Sequence, residues 1–379
     1  MHKHSIPSFL ILFFLSAQAS SLHGQLQIGQ HTILPAAQHQ NLQIFLITGQ
    51  AELGDEAYLT LSEALDKKKA VVRETGTVSQ LAIDNLSDET IFIHSGDIVK
   101  GGKQDRTMAY DVIIPPKAKN VALSSFCVER GRWRQRGKEQ VGAFSSNTRM
   151  LSNRKLKLAA KYEGSQQAVW YNVSEQQKGL NRSLSKKSGK KVDVSNAESA
   201  SSLQLALENQ ELEKHRKEMT AHFEHLIQDQ PSALGYAYAI NGEVMGVDLY
   251  NNRRLFSDLW EKLLTSMITE ALSEEQPEKL CLAEPAGVFA FMEGLENESV
   301  AEKAVNKETA LRTYEHQDRR LLFSTEDNAN GNWVHKNYMK GEKPNSQIQL
   351  QQQNQLNVGE QRLLNSNQNI RRRNRRKQR

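Results

Sequence analysis

The stretch Tyr236-Ala237-Tyr238-Ala239-Ile240-Asn241-Gly242-Glu243-Val244-Met245-Gly246-Val247-Asp248 decides the fold, because it carries the strongest local signal in the chain. Asn-Gly between two β-rich runs specifies a type I′ hairpin, whose two central residues both take positive φ. A helix is expected next, from about Arg254 to Leu272. Leu255, Leu259, Leu263 and Met267 form one stripe, with Phe256, Trp260, Leu264 and Ile268 beside it. A stripe that wide should be well buried.

Working outward toward the N-terminus, Ser202 to Asp229 reads as a long helix, since Leu205, Leu212, Met219 and Leu226 recur every seven residues with Phe223 and Ile227 beside them. Asn181 to Ser195 reads as a solvated loop, and Gln166 to Gly179 as a helix stopped by its glycine. From Val71 to Trp133 the chain is mainly β. Short runs at Val71–Glu74, Gln80–Asn85, Thr90–His94, Asp111–Ile114 and Val121–Val128 are separated by Gly76, Ser95-Gly96-Asp97 and Pro115-Pro116. Before them lies a helix from Leu59 to Ala70, with Thr60 and Glu63 in capping-box positions, and a first strand ending at Gly49. After the central helix, Gly287 to Leu295 suggests a short apolar helix, and a last hairpin is expected around Gly331. The fold class is therefore α+β. An N-terminal, mainly antiparallel β layer, sandwich or barrel-like, is followed by a helical and hairpin-containing half and a disordered C-terminal tail.

The two ends differ from this body. Lys3 precedes the apolar run Phe9 to Leu15 and then Ala17-Gln18-Ala19, which is the pattern of a cleaved secretory signal over residues 1–19. The mature chain is expected to begin near Ser20 with a polar leader over 20–40, a domain over 41–340 and an extracytoplasmic address. No transmembrane span is expected after cleavage. From Ser346 to Asn369 there are 13 Gln or Asn among 24 residues, followed by seven Arg or Lys among the last nine. The formal net charge is +5. Residues 341–379 contribute nine basic and two acidic residues, a balance of +7, which leaves −2 for the rest. The basic character thus belongs to a tail suited to anionic envelope or extracellular polymers, and a domain for sequence-specific nucleic-acid binding is not indicated. Two cysteines, Cys127 and Cys281, do not make a disulfide framework.

Two segments carry candidate chemistry. Gly101-Gly102-Lys103-Gln104-Asp105-Arg106 is a loop whose backbone can approach a phosphate or carboxylate beside two cations; its alternative is a tight turn whose cations pair with Asp97 and Asp105. After Cys127, residues Arg130, Arg132, Arg134, Arg136 and Lys138 alternate. A continuing strand would put all five on one face, either against an anionic ligand or as a charged edge, with Trp133 as a core anchor. Cys127 is a candidate nucleophile supported by Glu129 or His94, or else an inert buried thiol. His215, His222 and His225 lack a metal-binding spacing, and neither a metal nor a cofactor is expected.

The segments Tyr58 to Leu65, Gly96 to Arg106, Cys127-Val128-Glu129-Arg130-Gly131-Arg132-Trp133 and Gln167-Ala168-Val169-Trp170 resemble the ARG and Rhodanese-Phosphatase-superfamily-associated Protein domain, with the likeness strongest over residues 40–275. Asp105 stands where members of that family tend to carry Asn. The resemblance implies a domain of unknown function and supplies no catalytic residues. Three readings follow: an exported module binding an anionic, phosphate-bearing and nucleotide-like or ADP-ribose-like ligand; a cysteine-using hydrolase or transferase; and an envelope-associated structural protein retained by its tail.

Overall fold

The computed structural model describes residues 25–341 apart from 29, 54–57, 133, 135, 137–141, 143 and 276. The expected signal segment and the Gln/Asn-rich and basic tail from 342 onward lie outside the described residues.

Three short strands, β1 (Leu26–Ile28), β2 (His31–Ile33) and β3 (Ala37–His39), occupy much of the expected polar leader and run into β4 (Leu42–Thr48). They are too short to show an alternating pattern in the sequence, yet they pair in register with each other or with β4. Then come β5 (Tyr58–Thr60) and α1 (Leu61–Asp66). The expected capping box starts α1, with the Thr60 side chain accepting from the Glu63 N–H and Glu63 reaching back. The helix ends four residues early because Lys68 turns at φ 55° into β6 (Ala70–Glu74). The β layer continues through β7 (Gln80–Asn85), β8 (Thr90–Ile93), β9 (Asp97–Gly101), β10 (Arg106–Met108), β11 (Val112–Ile114), β12 (Val121–Cys127) and β13 (Phe144–Leu151).

The helical half departs from expectation twice. After α2 (Arg154–Lys161), α3 (Gln166–Ser188) passes straight through Gly179 and into the segment read as a loop. Gly179 serves close approach rather than termination, since a Cβ there would sit 2.4 Å from the Ser273 carbonyl oxygen. The long helix read over 202–229 is three pieces, α4 (Leu203–Leu207), α5 (Gln210–Thr220) and α6 (Leu226–Asp229). Asn209 breaks it by accepting the Glu211 and Leu212 N–H groups as an N-cap. Leu205, Leu212 and Met219 of the heptad are nonetheless buried.

The hairpin forms as read, β14 (Ala233–Ile240) and β15 (Glu243–Tyr250), with Asn241 at φ 56° and Gly242 at φ 82°. It is followed by α7 (Arg253–Ser273), α8 (Pro285–Met292), β16 (Val300–Ala304), β17 (Thr309–Glu315), β18 (Arg320–Asp327) and β19 (Asn332–Lys340).

Among the described residues the strands form three sheets. A ten-stranded antiparallel sheet runs β1-β2-β4-β14-β15-β19-β18-β17-β16, with β3 on β4. A six-stranded sheet runs β13-β9-β10-β12-β7-β6; its end strands β13 and β6 touch, so it nearly closes into a barrel. The third joins β11, β8 and β5, with β5 parallel to β8. β14 is buried along its whole length because the large sheet is covered on both faces. Tyr236, Tyr238 and Ile240 meet the core built with α7 and α3, while Leu234, Ala237 and Ala239 meet α8 on the other side. The fold is α+β, with a barrel-like N-terminal layer and most of its helices in the C-terminal half. No helix among the described residues is long and apolar enough to cross a membrane.

Candidate functional site

The arginine segment does not continue as a strand. β12 ends at Cys127, so the alternation imposes no common face: Arg132 and Arg136 are buried, whereas Arg130 and Arg134 are exposed. Trp133 and Lys138 lie outside the described residues. Asp105 is the hub. Its carboxylate accepts Arg136 Nη1 at 2.8 Å and Nη2 at 3.1 Å, and Arg132 Nη2 at 3.5 Å. Arg132 Nε donates to Glu129 Oε2 at 2.6 Å. The Gly101 and Gly102 carbonyls also accept from Arg132, and the Gly101 N–H donates to Asp105. Gln104 donates to the Glu129 carbonyl. Arg106, fully buried, donates to the Gln104 carbonyl and lies 3.8 Å from Glu74. Lys103 is exposed. The loop thus turns carbonyls and carboxylates toward buried arginines and pairs Arg132 and Arg136 from within, while Arg106 Nε and Nη2 make no hydrogen bond among the described residues. Arg130 lies over the Trp170 ring at 5.7 Å.

Cys127 is buried, and that burial pushes its thiol up, with Arg106 opposing. Glu129 is held by Arg132, and His94 stands at the end of β8, in a different sheet from Cys127. No hydrogen bond joins Cys127, Glu129 and His94 side chains among the described residues. His215 contacts Glu211 and Glu218, and His222 stacks on His39.

A second polar cluster lies at the centre of the molecule. In the large sheet, register places Tyr236, Asp248 and Asn337 in one row and Tyr250, His335 and Thr325 in the next, all on one face. The β8–β9 turn adds His94, Ser95 and Asp97; Asp111 enters just before β11; α2 adds Lys157 and Lys161, and α7 adds Lys262. His335 is fully buried between two carboxylates, with Nδ1 2.8 Å from Asp111 and Nε2 2.8 Å from Asp248. Burial alone would lower its pKa, but Asp111 and Asp248 outweigh that and raise it. Asp111 and Asp248 are in turn held well below the usual carboxylate range, because the neighbouring cations and hydrogen bonds overcome their burial. Asp248 also accepts Tyr236 OH at 2.5 Å and Asn337 Nδ2 at 2.7 Å, and Asp111 accepts the Ser95 N–H and Thr325 hydroxyl at 2.6 Å each. Burial holds His94 well below its ordinary value; its Nδ1 faces the Ser95 carbonyl at 2.6 Å and its Nε2 the Tyr250 hydroxyl at 2.9 Å. His94, Asp248 and His335 offer ligand atoms within 4.8 Å of one another, the grouping among the described residues with donors suited to a metal.

The lysines complete the electrostatics. Lys262 pairs with Asp97. Lys157 and Lys161, one helical turn apart, are 8% and 6% exposed, and among the described residues the ammonium of neither makes a hydrogen bond or ion pair. Lys161 lies over the Phe323 ring at 4.9 Å, and burial pushes its pKa down. Lys157 reaches the cluster by passing over Gly96, where φ is 90° and a Cβ would meet Lys157 Cε at 2.8 Å. It lines a cavity of about 20 Å³, room for one water, with Arg154, Tyr236, Tyr238, Asp248, Glu270 and Asn337 among its walls. Burying a cation without a hydrogen-bonded partner is costly, so Lys157, on a wall that also carries Arg154, Asp248 and Glu270, offers positive charge to an entering anion.

Of the expected site residues, the structure brings Gly101, Gly102, Gln104, Arg106, Glu129 and Arg132 together as one ion network and His94 into another. Asp111, Lys157, Asp248 and His335 were missed. The available signal was phase: Asp248 and Tyr250, like His335 and Asn337, are polar residues at alternate positions of strongly β hairpins.

The model of the ARG and Rhodanese-Phosphatase-superfamily-associated Protein domain matches residues 30–339. No curated protein and no solved structure matches the chain.

Proposed function

The chain belongs to the ARG and Rhodanese-Phosphatase-superfamily-associated Protein domain family, and from that premise we propose that it binds a small anionic, phosphate-bearing group at the central cavity. The observation that carries this reading is Lys157, a largely buried side chain that lines a polar cavity and makes no hydrogen bond or ion pair among the described residues, with the orphaned ammonium of Lys161 one turn behind it. The anion is placed here and not among the arginines, because Arg132 and Arg136 are paired with Asp105 and Glu129, and Arg106, at 0% exposure, is sealed against Glu74. Asn153 lines the same cavity with an amide that can donate to a phosphate oxygen, whereas Tyr236 and Asn337 donate to Asp248 and Tyr238 to Glu270, donors that a phosphate would have to take over. A cavity that holds one water admits a larger ligand only by opening, so the bound part is expected to be a terminal phosphate whose remainder projects outward. The apolar-then-Ala-x-Ala leader supports export of the mature chain, which intact mass would show as a start near Ser20.

Calorimetry of the full mature chain with inorganic phosphate, ribose 5-phosphate and ADP-ribose tests the reading. Saturable binding is expected. Gly96→Ala, which displaces Lys157 without touching the ligand, should weaken it while the chain stays folded. Equal binding by wild type and Gly96→Ala, or no binding of any of the three, would sink it. The cysteine-using alternative is the weaker one, since burial keeps the Cys127 thiol protonated.

A further inference from the structure

We propose that His94, Asp248 and His335 bind one divalent transition-metal ion at the centre of the fold. The three residues come from separate strand ends and positions, yet their ligand atoms lie within 4.8 Å of one another, and all three side chains are buried. What lifts the grouping above a polar cluster is the outer arrangement of each ligand. A metal-binding imidazole uses one nitrogen and donates its other N–H to a carboxylate or carbonyl, which fixes the ring. His94 Nδ1 faces the Ser95 carbonyl at 2.6 Å, and a carbonyl only accepts, so the proton sits on Nδ1 and the Nε2 lone pair, which now accepts from the Tyr250 hydroxyl at 2.9 Å, is the one a metal would take over. His335 Nδ1 faces Asp111 at 2.8 Å, the carboxylate–histidine arrangement.

Both orientations are locked by a shared element. The Ser95 peptide gives its carbonyl to His94, while its N–H donates to Asp111 at 2.6 Å. Thr325 holds the other Asp111 oxygen, and Tyr236 and Asn337 hold Asp248. Tyr250 stacks on His335 with ring centroids 4.5 Å apart, which stops the ring from tilting. Each ligand therefore has an outer partner, the pre-organisation a metal site requires.

The metal would take the place between His335 Nε2 and Asp248 Oδ1, now 2.8 Å apart. Two imidazoles and one carboxylate suit zinc, iron(II), cobalt(II) or manganese(II), and not calcium or magnesium, which take oxygen donors. Lys157 and Lys161 repel a cation here, and the carboxylates of Asp111 and Asp248 offset them. An exogenous ligand would arrive from the cavity that Asp248 and Lys157 share. Metal binding does not depend on the phosphate reading, so either can fail while the other stands.

The full chain, stripped with chelator and dialysed, is titrated with Zn²⁺, Co²⁺ and Mn²⁺ by calorimetry, and the metal retained is measured by mass spectrometry. One equivalent of zinc or cobalt is expected to remain bound. Asp111→Asn, which acts through His335 and, by way of the Ser95 peptide, through His94, should weaken affinity roughly 10–100-fold. His222→Ala, on the exposed histidine face, should change nothing. X-ray absorption of the zinc-loaded wild type needs no variant to fold, and it should show two imidazole nitrogens and a carboxylate oxygen. Retention below one equivalent for every metal, affinity unchanged in Asp111→Asn, or a shell without two imidazoles would each overturn the proposal.

Discussion

Asp105→Ala is the sharpest perturbation of the arginine network. The Asp105 carboxylate lies at 0% exposure and meets Arg136 at 2.8 and 3.1 Å, Arg132 at 3.5 Å, the Gly101 N–H at 3.1 Å and the Ser202 hydroxyl at 3.3 Å. Removing it leaves buried guanidiniums with Glu129 and Glu74 as the remaining carboxylates. Breaking a buried pair from one side costs about 3–5 kcal/mol, because a charge stays behind without compensation. Total stability is typically about 5–15 kcal/mol, so this is a large share. With a urea m-value near 3 kcal/mol/M, the midpoint should fall by about 1–2 M. Arg136→Met in the same background should recover part of the loss, giving a coupling of roughly 1–3 kcal/mol in a double-mutant cycle. A loss below about 1 kcal/mol, with no coupling to Arg136, would show that Asp105 does not hold these arginines. They would then be open to an outside anion, and the site would move back to where the sequence pattern first pointed.

Three further outcomes follow from the same structure. Arg73 and the Asn120 N–H hold the Asp84 carboxyl down to about 2, so its contribution is full above the ordinary carboxylate range and is lost as pH falls from about 4 toward 2; Asp84→Asn should flatten that part of the acid-unfolding curve, and an unchanged curve would contradict it. Native protein should take up iodoacetamide at exposed Cys281 while Cys127 reacts only on unfolding, and rapid labelling of both would revive the nucleophile reading. Thr60→Ala removes the cap of α1 and should cost about 0.5–2 kcal/mol in urea unfolding, against no change if the capping box is incidental.

The fold was legible where backbone chemistry is local. Asn241-Gly242 demanded its turn, Thr60 and Glu63 their cap, and the apolar stripe of α7 its burial. It was less legible where packing overrides local signals. Gly179 looks like a stop until the Ser273 carbonyl is seen against it, and the heptad over 202–229 looks continuous until Asn209 caps a new helix. The site was harder still. His94, Asp111, Asp248 and His335 meet only because β8, β11, β15 and β19 converge, and no spacing along the chain records that. The arginines were visible as charge, but their partners Asp105 and Glu129 were not visible as partners once the supposed strand ended at Cys127.

The central claim is that Lys157 is buried for a ligand rather than for the fold, and Lys157→Met tests it most directly. Replacing this ammonium, which makes no hydrogen bond or ion pair among the described residues, by an apolar chain of similar length removes a desolvation cost that outweighs the lost attraction to Asp248, so stability should rise by about 1 kcal/mol. Phosphate binding should vanish in the same protein. Urea unfolding paired with phosphate calorimetry on wild type and Lys157→Met reads both. A more stable chain that no longer binds phosphate is the predicted result; a less stable chain that binds it as before would contradict the account.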